Sequence, residues 1–383
     1  MMPSSFPLTR DLVLIGGGHA HALVLRMWGM DPLPGARLTV IDPNPVAPYT
    51  GMLPGLVAGH YRQQELEIDL VRLARFAGAR LVIGAVTAID AEARHITVAG
   101  RGAIGYDVAS IDIGIHSGMS EVPGFAEHAV PAKPLGRFAT AWDDFVVRAG
   151  AGHVAPRAAV IGGGIAGVEL ALAMAHRLRR AGGPAEVTLI ERAPTIAPDA
   201  PRARARLARA LDRLGVRVIA GAEVARITPE GPVLADGTAI AAAFTVGAAG
   251  ARAYPWLAET GLPVTPDGFL RVGPDLRVEG QAALFAAGDC AHLSHAPRPK
   301  AGVYAVRAAP VLRDNLRAVL AGGATRRFHP QRHFLKLISL GARAALAEKA
   351  GMALAGPLLW RWKDRIDRSF MAQFDPLPEM PRP

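Results

Sequence analysis

Two stretches of the 383-residue chain carry residue types spaced for recognisable chemistry. Residues 12–18 read LVLIGGG, and residues 159–164 read AVIGGG. In each, an apolar run breaks into glycines and an alanine-rich helical stretch follows. A second apolar run then ends in an acid, Asp42 after LTVI and Glu191 after VTLI. Glycine lacks a Cβ, so backbone N–H groups there can approach a pyrophosphate. A helix N-terminus attracts the phosphates, and an acid at the next strand end accepts hydrogen bonds from ribose hydroxyls. One such unit is weak evidence, whereas two, each with its strand before and its acid after, are strong. The second copy is complete: Gly162-x-Gly164-x-x-Gly167, with Ile165 opening the helix and Val168-Glu169 following. The first has Gly16 and Gly18 but places His21 where the third glycine belongs. His19 and His21 read there as polar residues at a helix start beside phosphate.

These motifs need a parallel sheet to hold them. Each copy continues through a helical stretch (Glu67–Phe76; Arg202–Leu214) and short alternating runs (Ala85–Asp90 and His95–Val98; Ala222–Ile227 and Val233–Ala235). Each closes on an apolar strand ending in glycine, at Gly114 and Gly250. Strands alternating with helices imply crossover connections and an α/β fold. The repeat recurs after roughly 150 residues, which is domain duplication and not a solenoid. Two doubly wound, Rossmann-like domains are therefore expected. Two dinucleotide sites imply two cofactors, and the simplest chemistry for such a pair is hydride transfer from a nicotinamide to a flavin.

Composition narrows the classes. Hydrophobic residues make up 50% and charged residues 20%, so disorder is excluded. The net charge of +10 invites a nucleic-acid reading. All but five of the 43 basic residues are arginines scattered among Ala, Gly and Pro, so no nucleic-acid partner is expected. The single cysteine, Cys290, cannot form an internal disulfide, a CxxC pair or a cysteine-based zinc site, and no metal is expected. Residues 1–10 have no basic start and apolar run of a signal peptide. Residues 350–360 are far shorter than a bilayer span. A cytoplasmic protein is expected, with attachment to the inner face of the cell membrane left open.

The chain resembles the two-dinucleotide-binding-domain flavoproteins, the pyridine nucleotide-disulfide oxidoreductase superfamily, over roughly residues 10–320. The glycine units carry the likeness, together with Leu284–Asp289 (LFAAGD) and the preceding Gly268–Val272 strand. The resemblance implies a discontinuous FAD domain of residues 1–115 and 266–325. An NAD domain of residues 155–265 is inserted in it, after a linker or hinge at 116–154. Residues 326–383 form a C-terminal region. The FAD contacts implied are Gly16, Gly18, His19, Asp42, Thr50, Gly51, Met52, Leu53, Val86, Gly114, Gly288, Asp289, Ala301 and Val303. Those for NAD are Gly162, Gly164, Ile165, Gly167, Glu191 and Gly247. Glu191 would accept from a free ribose diol and repel a 2′-phosphate, which favours NADH over NADPH, although Arg192 works against it. Glu169 is a catalytic candidate near the flavin–nicotinamide contact. Lys300 is another, offering positive charge at the flavin's pyrimidine edge.

Residues 43–61 (PNPVAPYTGMLPGLVAGHY) resemble the flavin-facing segment of type II NADH dehydrogenases. They are closer still to the oxidoreductase half fused to selenide, water dikinases, as are the GGGHAH, YDVASIDIG and PKAGVYAVR stretches. Glutathione-reductase chemistry is excluded by the lone cysteine, and sulfide:quinone chemistry is disfavoured by it. Electrons must then leave the flavin directly. Quinone is the leading acceptor, although Gly302 stands where the type II enzymes carry Gln. The alternatives are a soluble reductase of a small acceptor linked to selenium metabolism and a non-catalytic redox sensor. Residues 326–383 hold eleven basic and five acidic residues. Leu359, Trp362, Ile366, Phe370 and Phe374 recur at helical spacing between basic residues. Such a helix, around residues 357–374, suits a membrane surface, packing on the FAD domain, or a homodimer contact. Phe334–Leu340 and Ala344–Leu354 read as strand and hairpin, placed to cover the flavin.

Overall fold

The computed structural model describes residues 9–119, 121–181, 185–198, 200–349 and 352–378. Two five-stranded parallel sheets carry the fold. The first runs in the spatial order Leu284–Ala286, Val108–Ile111, Arg10–Ile15, Ala36–Asp42, Arg80–Ile83. The second runs Val130–Pro131, Phe244–Gly247, Arg157–Ile161, Glu186–Glu191, Val216–Ala220. Four strands of each sheet correspond in order, which is the duplication legible in the glycine motifs, and the outer edge differs: Leu284–Ala286 follows the rest of its sheet in the chain, whereas Val130–Pro131 precedes its own. The central strands are mostly apolar and almost wholly buried because both faces are covered, with Thr39, Ser110, Thr188 and Thr245 as the buried polar members. On the first sheet, helices His19–Met30 and Gly302–Leu320 pack on one face. The antiparallel ribbon Val86–Asp90, His95–Val98, Gly102–Gly105 packs on the other.

The expected helix over Glu67–Phe76 starts late. Glu67–Asp69 is a strand paired with Val46–Pro48, and Asp69 caps the helix Leu70–Phe76 by accepting from the Arg72 N–H at 2.9 Å. Residues 116–154, read as linker, include the sixteen-residue helix Leu135–Gly150. Its Trp142 is buried and donates from Nε1 to the Val57 carbonyl at 3.0 Å. The strand and hairpin expected near the C-terminus form a three-stranded antiparallel sheet, Lys336–Ser339, Ala345–Lys349 and Met352–Gly356. The helix Pro357–Met371 follows it.

Candidate functional site: two glycine cradles and a C-terminal lid

The second cradle is the simpler. Gly162 has φ +109°, and Gly164 precedes the helix Ile165–Arg180. A Cβ on Gly167 would collide with the Gly162 carbonyl, so only glycine lets helix and loop meet. Among the described residues, the N–H groups of Ile165, Ala166 and Gly167 have no partner. They are the open donors of a helix start. Glu191 braces the loop by accepting from the Gly163 N–H and, at 2.6 Å, from the Ala193 N–H. Gly247 ends a neighbouring strand, where Ala132 N–H donates to its carbonyl at 2.9 Å.

The first cradle has the same frame but different lining. Gly16 has φ +90°, and Gly18 precedes the helix His19–Met30. Asp42 accepts from the Gly17 N–H at 2.7 Å and the Asn44 N–H at 2.8 Å. Burial lifts its carboxyl above the ordinary range. Gly84 N–H donates to the Asp42 carbonyl, which seats the Val86 strand start beside it. His21, in place of the third glycine, is fully buried. Its Nδ1 bonds the Gly16 carbonyl at 2.7 Å and its Nε2 the Ser110 hydroxyl at 2.8 Å. A carbonyl only accepts, so Nδ1 carries the proton and Nε2 accepts from Ser110. Burial pushes the imidazole down to about 4, so it stays neutral. Asp112 adds a feature the sequence reading did not single out. It is buried, and its Oδ2 accepts from the Ala20 N–H at 2.8 Å and the His21 N–H at 3.1 Å.

The Gly288-Asp289 turn closes over this cradle. Gly288 has φ +70°, and Asp289 lies 3.4 Å from the Lys133 ammonium. His19 faces the N-terminus of Gly302–Leu320, close to the Cβ position of Gly302 at 3.4 Å, so Ala301 and Val303 border the same space. Gly114 follows the neighbouring strand with φ +71°. The Lys300 ammonium donates to the Ala291 carbonyl at 2.6 Å and sits 3.8 Å from the Phe269 ring centre. Burial lowers its basicity. Cys290 is buried, and its thiol is pushed up to about 12, so it is inert.

The segment Tyr49–Leu53 lies under the C-terminal helix. Thr50–Met52 forms a short turn leading into the helix Leu53–Val57. Lys363 Nζ donates to the Gly51 carbonyl at 2.7 Å and pairs with Asp367 at 2.6 Å. Tyr49 donates its hydroxyl to Asp367 at 3.1 Å, and its ring stacks on Phe370 at 4.5 Å between centres. Tyr61 donates to Asp364 at 2.7 Å. Glu169, one turn into the second cradle's helix, accepts from the Ser339 N–H at 2.6 Å. Burial pushes its carboxyl up to about 7 against the pull of Lys363. The C-terminal region thus joins Glu169 to the Thr50–Leu53 turn.

The helix divides the apolar stripe read from its spacing: Phe370 and Phe374 face inward, and Trp362 and Ile366 face outward. Lys363, Asp367, Phe370 and Phe374 are buried. Leu358, Trp362 and Ile366 are 73%, 47% and 41% exposed. Neither Asp112 nor the Lys363–Asp367 pair was singled out from sequence. Asp112 carried the signal that marked Asp42, an acid ending an apolar strand. Lys363 and Asp367 lie one turn apart, a spacing that surface pairs share.

Residues 10–309 match the family model described as pyridine nucleotide-disulphide oxidoreductase. The chain belongs to that family. A pyridine nucleotide-disulphide oxidoreductase with one cysteine has no disulphide of its own to exchange. Its cradles suit FAD and NAD(H), since each presents glycine backbone, a helix start and a strand-end acid. The NADH dehydrogenase-like protein MT1860 of Mycobacterium tuberculosis is 34% identical over 226 residues, 56% of each chain. The matched part thus spans about half the length of that relative. The demethylphylloquinone reductase NdbB of Synechocystis is 24% identical, covering 90% of this chain and 88% of NdbB. The fold is shared with the sulfide:quinone oxidoreductase of Aquifex aeolicus at TM-score 0.79 and 17% identity, over 96% of this chain and 91% of that one.

Proposed function

We propose that the chain is an FAD-dependent NADH oxidoreductase that passes electrons from flavin to a lipophilic quinone at a membrane surface. The observation that carries it is the C-terminal helix: a buried polar face on the Tyr49–Leu53 segment and an outward apolar stripe. NdbB, named as a quinone reductase, aligns along nearly the whole chain and supports the same reading. The FAD belongs to the first cradle, with Thr50, Gly51, Met52, Leu53, Val86, Gly114, Gly288, Asp289, Ala301 and Val303 around it. NADH belongs to the second, on Gly162, Gly164, Ile165, Gly167, Glu191 and Gly247. This division makes residues 1–115 and 266–325 the flavin domain and 155–265 the nicotinamide domain. The flavin supplies the two-electron to one-electron interchange. The protein holds both rings, excludes water beneath the C-terminal helix, and places Glu169 to hold a proton.

Anaerobic titration with NADH should bleach the flavin, and NADPH should do so at least tenfold less efficiently, because Glu191 disfavours a 2′-phosphate. Reoxidation of the bleached protein by short-chain quinones, but not by small hydrophilic acceptors, is expected. Reoxidation by the hydrophilic set alone would replace the quinone reading with the small-acceptor one. Glu169 is protonated below about 7 and ionised above it. Quinone turnover limited by its proton is expected to fall as pH rises through that value, and a Glu169→Gln profile should be flat and low.

No helix among the described residues is long and apolar enough to cross a membrane. Leu358, Trp362 and Ile366 are exposed, as are Met352 and Leu354 of the adjoining strand, and Arg361 and Arg365 lie on the same helix. Apolar side chains flanked by arginines suit the headgroup boundary of an anionic bilayer. Changing Leu358, Trp362 and Ile366 together to Ser should weaken co-sedimentation with phosphatidylglycerol vesicles by about tenfold or more. Equal sedimentation of the triple variant would remove this contact.

A further inference from the structure

We propose that Asp112 is a flavin-binding residue that works as a neutral acid, so that the protein takes up one proton when FAD enters the first cradle. The inference rests on the assignment of FAD to that cradle. It comes from comparing the two copies inside one chain. Asp112 N–H donates to the Ile15 carbonyl at 2.8 Å, just as Ala248 N–H donates to the Ile161 carbonyl at 2.8 Å. Asp112 is therefore the counterpart of Ala248, and His21 the counterpart of Gly167. The nicotinamide cradle has small apolar residues at both positions and leaves its first helical N–H groups open. The flavin cradle has two buried ionisable side chains there, and one of them occupies two of those N–H groups.

The other Asp112 oxygen points into the cradle. A Cβ built on Gly18 or on Gly288 would collide with it, so it lies between the two glycine motifs that border the flavin. No donor reaches this Oδ1 among the described residues. An ionised carboxylate there would face a diphosphate at close range and repel it. A protonated one keeps Oδ2 on the helix N–H groups and offers an O–H to phosphate. The surroundings favour the second state. Burial, helped by the fields of Asp289 and Asp42, holds Asp112 up at about 7. His21 cannot neutralise it, since its ring is committed to Gly16 and Ser110 as a neutral group. Of the other ionisable groups near it, His19 is made less basic by burial. The Lys133 ammonium is on Asp289, and the Lys300 ammonium on Ala291. Cys290 stays a thiol. The proton comes from solvent, and no covalent bond in FAD changes.

The test dilutes purified holoprotein and follows FAD release by flavin fluorescence from pH 6 to 9. The wild-type dissociation constant should rise toward tenfold per pH unit above about 7, the slope of one linked proton. Asp112→Asn keeps an acceptor for the helix and an N–H for phosphate without the charge. It should show no slope and hold FAD at least tenfold tighter than wild type at pH 8.5. Calorimetry of FAD rebinding at pH 8 in buffers of different ionisation enthalpy should count close to one proton taken up. A wild-type slope retained in Asp112→Asn, or a proton count of zero, would overturn the proposal. Gly18→Val separates it from the assignment beneath it. Folded Gly18→Val with full flavin content refutes both. Flavin loss there, with the Asp112→Asn slope unchanged, refutes Asp112 alone.

Discussion

Replacing Lys363 with methionine is expected to cost roughly 3–5 kcal/mol and to free the C-terminal helix from the Tyr49–Leu53 segment. The ammonium lies 2.6 Å from Asp367 and 2.7 Å from the Gly51 carbonyl, and the two charged side chains are 11% and 6% exposed. Removing the cation strands a buried carboxylate that keeps only the Tyr49 hydroxyl, whose bond is 3.1 Å long. Desolvation already pushes Asp367 upward, and Lys363 is what holds it down. The double variant Lys363→Met with Asp367→Leu removes both charges and should recover most of the loss. Urea unfolding of the single variants and the double variant, read as a cycle, measures this directly. A single variant as stable as wild type would mean that the pair does not fasten the helix.

Changing Gly167 to valine should abolish reduction by NADH while leaving the flavin in place. The new Cβ would collide with the Gly162 carbonyl, so the helix Ile165–Arg180 must back away from the strand Arg157–Ile161. Overpacking of this kind costs about 1–3 kcal/mol or more, and here it also dislodges the three open N–H groups. The expected readings are a near-normal ratio of FAD to protein and an anaerobic bleaching rate at least a hundredfold lower. Loss of flavin with retained NADH binding would reverse the assignment of the two cradles.

The nucleotide machinery was legible because its constraints are local. A strand, a glycine turn, a helix start and an acid all lie within about thirty residues, and each has its own residue preference. Gly162, Gly167 and Glu191 therefore sit where their spacing placed them. The parallel sheets follow from the same alternation. Other features depend on contacts between distant segments. The orientation of the helix Pro357–Met371 depends on which face meets the Tyr49–Leu53 segment, some 310 positions away in the chain. An apolar stripe reads as the buried side by default. Here Tyr49, Tyr61 and the Gly51 carbonyl supply enough hydrogen-bonding partners to bury Lys363 and Asp367 beside Phe370. The role of Asp112 depends on the approach of Gly18 and Gly288 from separate motifs, which no local window contains. Lys300 was read from motif proximity, and its partners, the Ala291 carbonyl and the Phe269 ring, come from other segments.

The strand order sets a schedule for synthesis. Every strand of the second sheet lies between Val130 and Gly247, so that unit can close while the ribosome is still at work downstream. The first sheet begins at Arg10 yet waits for Leu284–Ala286 to complete its edge and for Gly302–Leu320 to cover its apolar face. At about 5–20 residues per second, the opening strands spend tens of seconds without their partners. The half of the molecule made first is thus the half finished last, and its apolar strands stay uncovered longest during synthesis.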